Sequence, residues 1–488
     1  MNVRTLLKSL TIQSSNCRLD DIDITHIACD SRKVDKGSLF IAIRGHEADG
    51  HTYIKEAVEN GASLVIGEHE ADDYFDMPYI QVGDSRRALA VISKNYYMKD
   101  KPYPIMIGIT GTNGKTTTSF MIRHILEQSG YSCALFGTVS YMINKKDHPS
   151  THSTPDPMTL HKFLADSEDD VAILEVSSHG IKQGRIHGVP FDHLVFTNLG
   201  HDHLDYHSSM EDYFETKASL FDQLTEDGTA VIYTGQDWGK TLAQRLKQRN
   251  HHVWTVDSNE TDDAIFDFEQ QLLHTKDRKV PINLQLPGIH NFHNASFAAV
   301  TSNRVGVEWE NISRSLSQRI HVPGRFERYS HPNGATIVVD YAHTSDAIEN
   351  ILATAKREGA GNIIHVFGFR GKRDKSKQKE MLHASKAHAT EYVLTRDDLN
   401  GIDPSEMDAE LEDLHFTDGS IKGTVLPDRT KAIKYAWDKA KADDWIIITG
   451  KGHEEYKDAY HYPVNSDIES VEWFNRQSEC CDPILKQG

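Results

Sequence analysis

Long apolar runs are absent from this sequence. No stretch approaches the roughly 18 apolar residues that a membrane-spanning helix requires. Residues 1–8 contain neither an extended apolar region nor a small-residue cleavage site, which argues against a secretory signal. The 5 cysteines are odd in number and lack the spacing of a metal site, as is typical of a reducing compartment; they are Cys17, Cys29, Cys133, Cys480 and Cys481. We therefore expect a cytoplasmic protein that does not insert into a membrane.

Positive charge is also scarce. The chain has 53 Lys and Arg residues against 72 Asp and Glu residues, which gives a net charge of −19. A general nucleic-acid binder would show a basic footprint, so the composition argues against that class. An anionic substrate would have to be attracted locally, by individual Lys and Arg side chains and by helix N-termini.

The length of 488 residues exceeds what one hydrophobic core usually serves, so about three domains are expected. We predict an α/β protein with a small α/β domain at residues 1–98, a central P-loop domain at 99–322 and a Rossmann-like domain at 323–488. A charged, proline-containing linker at 99–104 marks the first boundary. The central sheet is predicted to be doubly wound and mostly parallel. Apolar runs that alternate with helical stretches predict a second doubly wound sheet in the last domain.

A phosphate-binding loop is predicted between an apolar strand at 105–109 and a helix at 116–128. Gly111 and Gly114 in this loop allow the backbone to approach a ligand closely. Successive N–H groups and the helix N-terminus would supply partial positive charge. The loop therefore predicts a site for an anion.

Lys115 distinguishes this loop from an ordinary glycine-rich turn. Its ammonium group can reach the β- and γ-phosphates of a nucleotide, and the Thr116 hydroxyl suits a bridging Mg²⁺. The general P-loop pattern expects its first glycine at position 109, which is Ile109 here. A turn capped by threonines would explain the glycines but not the lysine, so a nucleotide phosphate is favoured.

Polar side chains are predicted at the carboxyl ends of strands, where open parallel sheets bind ligands. Glu175 lies in an apolar run at 171–176, where it could face a magnesium ion or form a structural ion pair. We favour magnesium because an unpartnered carboxylate in such a run is costly. The loop at 201–207 contains three histidines and two aspartates. Zinc is an alternative there, but Mg²⁺ with oxygen ligands and a single imidazole better fits a P-loop enzyme.

Several other polar positions have both a functional and a structural interpretation. Ser31 could grip a ligand or belong to an ordinary turn. Lys217 lies within a helical pattern and, on spacing alone, would be a solvated lysine. Asn291 and Asn294 at a predicted helix start could read an adenine or cap the helix. The basic loop at 370–377 could be a solvated turn or an anion site.

Short motifs distributed along the chain are more specific together than singly. They are Asp30-Ser31-Arg32, Gly111-Thr-Asn-Gly-Lys-Thr116, Ser177-Ser-His-Gly-Ile-Lys-Gln-Gly-Arg185, Asp202-His-Leu-Asp-Tyr-His207, Val339-Asp-Tyr-Ala-His-Thr344 and Gly450-Lys-Gly-His-Glu454. In these motifs the chain resembles the Mur ligases, the ATP-dependent amino-acid ligases of peptidoglycan precursor synthesis. The resemblance covers nearly the whole chain. It is strongest to the UDP-N-acetylmuramoyl-tripeptide synthetases, which add the third residue.

The resemblance implies ATP and Mg²⁺ as cofactors. The positions that match the family's phosphate loop are Gly111, Thr112, Asn113, Gly114, Lys115, Thr116 and Thr117. The positions that match its other nucleotide contacts are Asn291, Asn294, Arg325 and Asp340. The implied magnesium ligands are Thr116, Glu175, His203 and Lys217, of which the lysine matches one that is carbamylated in the family. The implied catalytic residues are Lys115, Glu175, His203 and Lys217.

The resemblance also implies two further substrates, with the first domain binding the UDP-substrate, the central domain ATP and the last domain an amino acid. The positions that match contacts to UDP-N-acetylmuramoyl-L-alanyl-D-glutamate are Ser31, Ser153, Thr154, Ser177, Gln183 and Arg185. The positions that match contacts to the incoming diamino acid are Arg373, Asp397, Asn400, Gly450 and Glu454. An acyl-phosphate intermediate, closure of the domains before chemistry and a monomeric protein are expected.

The amino-acid loop departs from the family's pattern. Members that add meso-diaminopimelate typically carry Asp-Asn-Pro-Arg there, and the arginine pairs with the distal carboxylate. This chain has Asp397-Asp-Leu-Asn400 instead, and asparagine lacks the guanidinium fork. Because Asp397, Asp398 and Glu454 could meet a distal ammonium, L-lysine is the first expectation and meso-diaminopimelate the alternative. The loop at 368–375 departs as well, which leaves open a divergent paralogue with another amino acid.

Two other protein classes are alternatives. A folylpolyglutamate- or cyanophycin-type ligase would share the P-loop and the carbamylated lysine. The Asp30-Ser31-Arg32 motif and the segment 177–185 argue against that class. A non-catalytic nucleotide-binding regulator would have no need to retain the implied catalytic set as a whole.

Overall fold

The computed structural model describes residues 1–19, 22–45, 48–70, 77–259, 261–420 and 422–481, with residues 479–481 described by backbone alone. Three sheets with packed helices confirm the predicted α/β class. No helix within the described ranges has the length and apolarity needed to cross a membrane. Cys17, Cys29 and Cys133 are free thiols. The side chains of Cys480 and Cys481 lie outside the described part of the chain.

The N-terminal part is a 5-stranded sheet with short helices around it. Its elements are α1 (Val3–Leu6), β1 (Ile12–Ser15), β2 (His26–Ala28), β3 (Ser38–Ile41), α2 (Ile54–Glu59), β4 (Ala62–Gly67), β5 (Tyr79–Val82) and α3 (Ser85–Ser93). The strand order is β1-β5-β4-β3-β2, in which only β1 pairs antiparallel. A 3₁₀ turn at Ser31–Lys33 follows β2 and is capped by the Asp30 side chain, which places Ser31 at the carboxyl end of that strand.

The central part is an 11-stranded sheet. Its first elements are β6 (Ile105–Thr110), α4 (Lys115–Gln128), β7 (Cys133–Phe136), β8 (Ser140–Ile143), β9 (Lys146–Pro149), α5 (Pro157–Asp166), β10 (Val171–Glu175), α6 (Ser178–Lys182), β11 (Phe191–Phe196) and α7 (Met210–Ala218). Its later elements are β12 (Leu224–Tyr233), α8 (Asp237–Gln248), β13 (His252–Asp257), β14 (Ala264–Asp267), β15 (Leu272–Thr275), β16 (Lys279–Pro281), α9 (Ile289–Val305) and α10 (Trp309–Leu316).

The order of this sheet explains where its site lies. It runs β16-β15-β14-β13-β12-β11-β6-β10-β7-β8-β9, with a parallel centre and antiparallel edges. Strand β6 lies between β11 and β10. The chain passes from β6 to β7 on the β10 side and later from β10 to β11 on the opposite side, so the direction of the connections reverses at β6. Such a switch point opens a crevice at the carboxyl ends of the strands. One face is covered by α4, α9 and α10, and the opposite face by α5, α7 and α8.

The C-terminal part is a 6-stranded sheet. Its elements are β17 (Glu327–Ser330), β18 (Thr336–Asp340), α11 (Ser345–Arg357), β19 (Ile363–Phe369), α12 (Ser376–His388), β20 (Glu391–Arg396), α13 (Pro404–Asp418), β21 (Gly423–Val425), α14 (Arg429–Lys439), β22 (Trp445–Thr449) and α15 (Asp467–Cys481). The order is β17-β18-β22-β19-β20-β21, in which β17 alone pairs antiparallel. Helices α11 to α13 cover one face, and α14 and α15 cover the other.

The predicted apolar runs of the C-terminal part all form strands, but edge strands escaped prediction. Strand β17 alternates half-buried and exposed residues, and β9 is largely exposed, so neither contains an apolar run. Their partners across the sheet, rather than their own hydrophobicity, make them strands. The predicted domain boundaries at 98/99 and 322/323 stay a prediction.

A fully buried ion pair joins two helices of the C-terminal part. Arg429 on α14 donates two hydrogen bonds of 2.7 Å to the Asp467 carboxylate on α15, and both side chains are 0% exposed. Tyr456 donates a third hydrogen bond to Asp467 at 2.9 Å. Removing the carboxylate would leave a buried guanidinium without its counter-charge.

We therefore expect Asp467→Ala to lower the free energy of unfolding of the C-terminal part by about 3–5 kcal/mol. The matched control is Glu358→Ala, which breaks an ion pair with Arg328 whose side chains are 42% and 37% exposed. That change should cost less than about 1 kcal/mol. Urea denaturation followed by hydrogen exchange of the β22 amides measures both. Equal effects of the two substitutions would contradict the expectation.

Candidate active site

A cleft of about 770 Å³ lies between the carboxyl edges of the central and C-terminal sheets. Lys115 and His203 line it from the central part, and Arg325 and Arg370 line it from the C-terminal part. The strands whose carboxyl ends supply lining residues include β6, β10, β11, β12, β18, β19 and β20. The two doubly wound sheets therefore share one ligand site.

The phosphate loop is held against its neighbours by close approach at two glycines. Gly111 has a φ of 145° and Gly114 a φ of 88°. A Cβ atom at Gly111 would lie 2.0 Å from Thr197 Oγ1, and one at Gly114 would lie 2.4 Å from Asn294 Oδ1. Asn198 accepts the Asn113 N–H at 2.9 Å through its side chain. The loop can take this shape only with glycine at both positions.

Two lysines converge on one carbonyl of this loop. Lys115 Nζ donates to Gly111 O at 2.7 Å and to Thr112 O at 2.8 Å, while Lys217 Nζ donates to Gly111 O at 3.0 Å. Burial lowers the pKa of Lys115, and burial together with the Lys115 charge holds the pKa of Lys217 well below its ordinary value. Lys217 is 1% exposed and makes no ion pair with a carboxylate among the described residues. It is not the solvated lysine that its spacing alone suggests.

Glu175 ends β10 and is 0% exposed. Its carboxylate accepts hydrogen bonds from Thr116 Oγ1 at 2.9 Å, Thr138 Oγ1 at 2.9 Å and Ser119 Oγ at 3.4 Å. Within the described residues it makes no ion pair, so the structural alternative of an ion pair is not observed. In the described part of the chain, the hydrogen bonds of this buried carboxylate come from hydroxyl groups alone, and Lys115 acts on it at longer range. A bound cation would complete its coordination.

His203 faces the same space in an unusual backbone conformation. Its φ is 58°, in the left-handed region that few non-glycine residues adopt. Burial holds the pKa of the His203 imidazole well below its usual value, despite the Asp202 carboxylate 3.5 Å away. Burial therefore favours the uncharged ring, which offers a lone pair.

The zinc alternative for the loop at 201–207 finds no support. In the part of the chain that the structure describes, the only cluster whose ligand atoms are close enough to share an ion is Asp49, His51 and His69. Both ring nitrogens of His51 are already hydrogen-bonded, to Asp49 at 2.6 Å and to the Glu68 N–H at 2.8 Å. This cluster is a hydrogen-bonded structural unit.

The positions predicted to hold the nucleotide line the cleft together. Asn294 Nδ2 donates to Asn291 Oδ1 at 3.4 Å, which fixes both amides at the start of α9. Arg325 reaches from the C-terminal part to Thr116 Oγ1 at 3.3 Å and lies over the Tyr341 ring. The Asp340 carboxylate accepts hydrogen bonds from the backbone N–H groups of Phe326 and Ala342, and burial raises the pKa of Asp340.

The predicted contacts to the UDP-substrate separate into three groups. The cleft is lined by Ser153, Ser177, Gln183 and Arg185. Thr154 is fully buried and donates to Glu175 O at 2.9 Å, so it fixes the backbone beside the cleft without lining the cleft itself. Ser31 lies in the N-terminal part, outside the cleft lining, and its hydroxyl donates to Glu56 Oε2 at 2.9 Å.

The amino-acid end of the cleft contains its own counter-charges. Arg370 donates to Asp397 Oδ2 at 3.2 Å and also to Glu454, and Lys451 donates to Asp397 Oδ1 at 3.3 Å. Asp398 pairs with Lys451, and with Lys457 at 3.1 Å. Burial alone would raise the pKa of Asp397, but Arg370 and Lys451 hold it well below its ordinary value.

This pairing corrects the electrostatic reason for expecting L-lysine. The three carboxylates assigned to a distal ammonium, Asp397, Asp398 and Glu454, are already engaged by side-chain cations. Asn400 donates its amide to Gly371 O at 3.0 Å and, like Gly450 and Glu454, adjoins the cleft without lining it. The cationic partners follow other strands, β19 and β22, so the sequence of the loop does not reveal them.

Contacts between the central and C-terminal parts were not predicted. Lys377 Nζ lies 2.9 Å from Asp202 Oδ1, and Asn113 Nδ2 lies 3.2 Å from Thr344 Oγ1. His201 lies 3.1 Å from Asp374 Oδ2. Lys377 belongs to the basic loop at 370–377, whose charge was the only signal in the sequence that it meets an anion. Its anionic partners in this structure are carboxylates.

The close approach at Gly114 predicts the effect of a single methyl group. Gly114→Ala would adopt a strained φ and displace Asn294, so we expect the turnover of ATP to fall by at least about 10²-fold through misplacement of Lys115. The matched control is Gly130→Ala, which has a similar φ of 94° but nothing within 4 Å of its Cβ position. Steady-state kinetics with thermal melting measures both. Equal activity of the two variants would contradict the role of the close approach.

Comparisons with known proteins agree with this geometry. Residues 109–302 match the Mur ligase middle domain, residues 324–452 the glutamate ligase domain of Mur ligases, and residues 23–97 the Mur ligase family catalytic domain. The chain is 36% identical over 476 residues to a UDP-N-acetylmuramoyl-L-alanyl-D-glutamate–2,6-diaminopimelate ligase of Clostridium botulinum, covering 94% of this chain and 95% of that protein.

Two further comparisons give the same result. The ligase of the same description from Bacillus velezensis is 37% identical over 475 residues, with 94% of this chain and 95% of that protein covered. A solved structure of such a ligase superposes with a TM-score of 0.68 at 27% identity, covering 98% of this chain and 99% of that chain. These findings confirm the resemblance seen in the sequence. The chain therefore belongs to the Mur ligase family of ATP-dependent ligases.

Proposed function

We propose that this chain joins 2,6-diaminopimelate to UDP-N-acetylmuramoyl-L-alanyl-D-glutamate, with conversion of ATP to ADP and phosphate. The observation that carries the proposal is the single cleft onto which Lys115, Arg185 and Arg373 all open. These residues belong to the sites expected for the nucleotide, the UDP-substrate and the amino acid. Both relatives described above are named as diaminopimelate ligases, which supports this amino acid over L-lysine.

The proposed chemistry has two steps. A carboxylate oxygen of the UDP-substrate attacks the γ-phosphorus of ATP, and ADP leaves. An amino group of diaminopimelate then attacks the acyl carbon, loses a proton and expels phosphate, which leaves a peptide bond. Lys115 would neutralise charge on the transferring phosphoryl group. Contacts such as Lys377 to Asp202 would keep the two parts closed and exclude water from the acyl phosphate.

Mg²⁺ fits the donors gathered at the phosphate loop. The Glu175 carboxylate and the Thr116 hydroxyl would supply hard oxygen ligands, and the His203 imidazole, whose protonation is disfavoured by burial, would supply one nitrogen. The buried Glu175 carboxylate, which accepts hydrogen bonds only from hydroxyl groups in the described structure, supports this assignment. When bound, the ion would stabilise negative charge on the phosphate oxygens.

We further propose that Lys217 is carbamylated. Carbamylation requires a neutral amine: the nitrogen attacks the carbon of CO₂ and releases one proton, giving a carbamate anion. Burial and the neighbouring Lys115 both lower the pKa of Lys217, so more of the amine is neutral at a given pH than for an exposed lysine. The carbamate would convert a repelling cation next to Lys115 into an anion that attracts Lys115 and Mg²⁺.

The function is tested by phosphate release from ATP with UDP-N-acetylmuramoyl-L-alanyl-D-glutamate and one amino acid at a time. We expect turnover with meso-diaminopimelate and much weaker turnover with L-lysine or L-ornithine. Lys115→Ala serves as the control and should lower every rate by about 10²- to 10³-fold. Preference for lysine would keep the ligase but reject the proposed amino acid. No phosphate release with any of the three amino acids would indicate a paralogue with another substrate.

The Lys217 proposal has a separate test. Lys217→Ala should lower kcat by about 10²-fold or more, and a short carboxylic acid such as acetate should restore part of it. Lys217→Arg keeps the positive charge, cannot form the carbamate and should stay inactive. Lys240→Ala, which removes a lysine that is 59% exposed, is the control. A ¹³C NMR carbamate signal after exposure to labelled CO₂ is expected in the wild type and in Lys240→Ala, but in neither Lys217 variant. A fully active Lys217→Arg enzyme would reject the proposal.

A further inference from the structure

Arg370 occupies a special place at the amino-acid end of the cleft. It follows β19 directly, lines the cleft and has 20% of its side chain exposed. Its guanidinium lies 5.7 Å from the centre of the Tyr341 ring. Tyr341 is itself fixed, because its hydroxyl donates to Glu454 Oε1 at 2.8 Å. Arg370 therefore packs against an aromatic ring whose own position is fixed by a hydrogen bond.

The hydrogen bonds of Arg370 leave one edge of its fork open. Nε donates to Asp397 Oδ2 at 3.2 Å, and Nη2 donates to Gly450 O at 3.3 Å and to Glu454. A guanidinium has five N–H donors, and these bonds employ those on Nε and Nη2. Nη1 has no hydrogen-bond partner in the part of the chain that the structure describes. Two donors of a fixed, permanently charged group thus remain available at the cleft.

Other groups at this end are less suited to receive a carboxylate. Asn400 is neutral, and its amide is committed to Gly371 O. Arg373 is 42% exposed and lies 3.4 Å from Asp205 Oδ2 across the interface. Lys451 is fully buried between Asp397 and Asp398. Arg370, by contrast, lines the cleft, is fixed by hydrogen bonds and keeps unused donors, whereas Arg429 nearby is fully buried and lies outside the cleft lining.

We infer that Arg370 determines the specificity for the amino acid, by donating from Nη1 to the carboxylate at the far end of diaminopimelate. This inference rests on the proposed function. A carboxylate matches the guanidinium fork in charge and geometry, and Asp397 and Glu454 hold the fork in place before the substrate arrives. An amino acid without that carboxylate leaves the two donors unpaired once water is excluded, so it is discriminated against.

The test compares the kinetics of wild type, Arg370→Gln and Arg370→Lys with meso-diaminopimelate and with L-lysine. For Arg370→Gln we expect KM for diaminopimelate to rise by about 10- to 100-fold, while KM for ATP stays unchanged. The ratio of kcat/KM for diaminopimelate to that for lysine should fall by the same factor. Arg370→Lys retains the cation opposite Asp397 and Glu454 but loses the fork, so it should fold normally and show an intermediate ratio.

A matched control and a rescue separate specificity from a structural role. Arg328→Gln removes an arginine whose partner Glu358 lies on the surface, and it should leave the ratio unchanged. Arg370→Gln combined with Asn400→Arg places a guanidinium on the adjacent loop and should recover part of the preference for diaminopimelate. A purely structural Arg370 would lower kcat for both amino acids equally and would leave the ratio as it is in wild type.

The outcomes distinguish a failure of the Arg370 inference from a failure of the proposed function. Wild-type enzyme that does not turn over diaminopimelate overturns the proposed function and, with it, the role of Arg370. Wild-type enzyme that prefers diaminopimelate, together with an unchanged ratio in both Arg370 variants, overturns the role of Arg370 alone. A ratio that falls in Arg370→Gln and partly recovers with Asn400→Arg supports both.

Discussion

The close approach of the phosphate loop to its surroundings is the constraint on which the rest of the site depends. Gly111 lies so close to Thr197, just after β11, that a Cβ atom would not fit between them, and the same holds for Gly114 and Asn294 on α9. The strand, the loop and the helix N-terminus are thereby fixed relative to one another. Because Lys115 and Lys217 both donate to Gly111 O, the position of that one carbonyl sets the positions of both catalytic candidates. A side chain at either glycine would disturb all of these contacts together.

Ion pairs between the central and C-terminal parts stabilise the cleft that contains the phosphate loop. Burial alone would raise the pKa of Asp202, yet the hydrogen bond with His343 and the charge of Lys377 hold it well below its usual value. Both of these partners come from the C-terminal part. A buried carboxylate at this place is stable only while its partners are present, so closure of the cleft and the charge state of its lining depend on each other. The same contacts would exclude water from the proposed acyl phosphate.

The amino-acid end shows how pairing alters the meaning of charge. Three carboxylates in a loop suggest a site for an ammonium when they are considered alone. In the folded chain Arg370, Lys451 and Lys457 pair with them, and Arg370 keeps unused donors on Nη1. The role inferred for Arg370 would make this cluster a site for an anion in place of a cation. The net effect of a charged loop depends on strands that are distant in sequence.

The sequence by itself determined the α/β class, the phosphate loop and the family, because these depend on local patterns: apolar runs, glycine spacing and contiguous motifs. It also located Glu175 and the loop containing His203 at the carboxyl ends of strands, because parallel sheets place ligands there. Only the tertiary structure decided that Lys217 is buried beside Lys115. It also decided that Lys377 pairs with Asp202, and that Arg370 pairs with Asp397 and Glu454. Edge strands such as β17 and these ion pairs involve partners far apart along the chain. No local pattern carries that information, since a side chain's pKa and its available donors are set by neighbours that folding alone brings together.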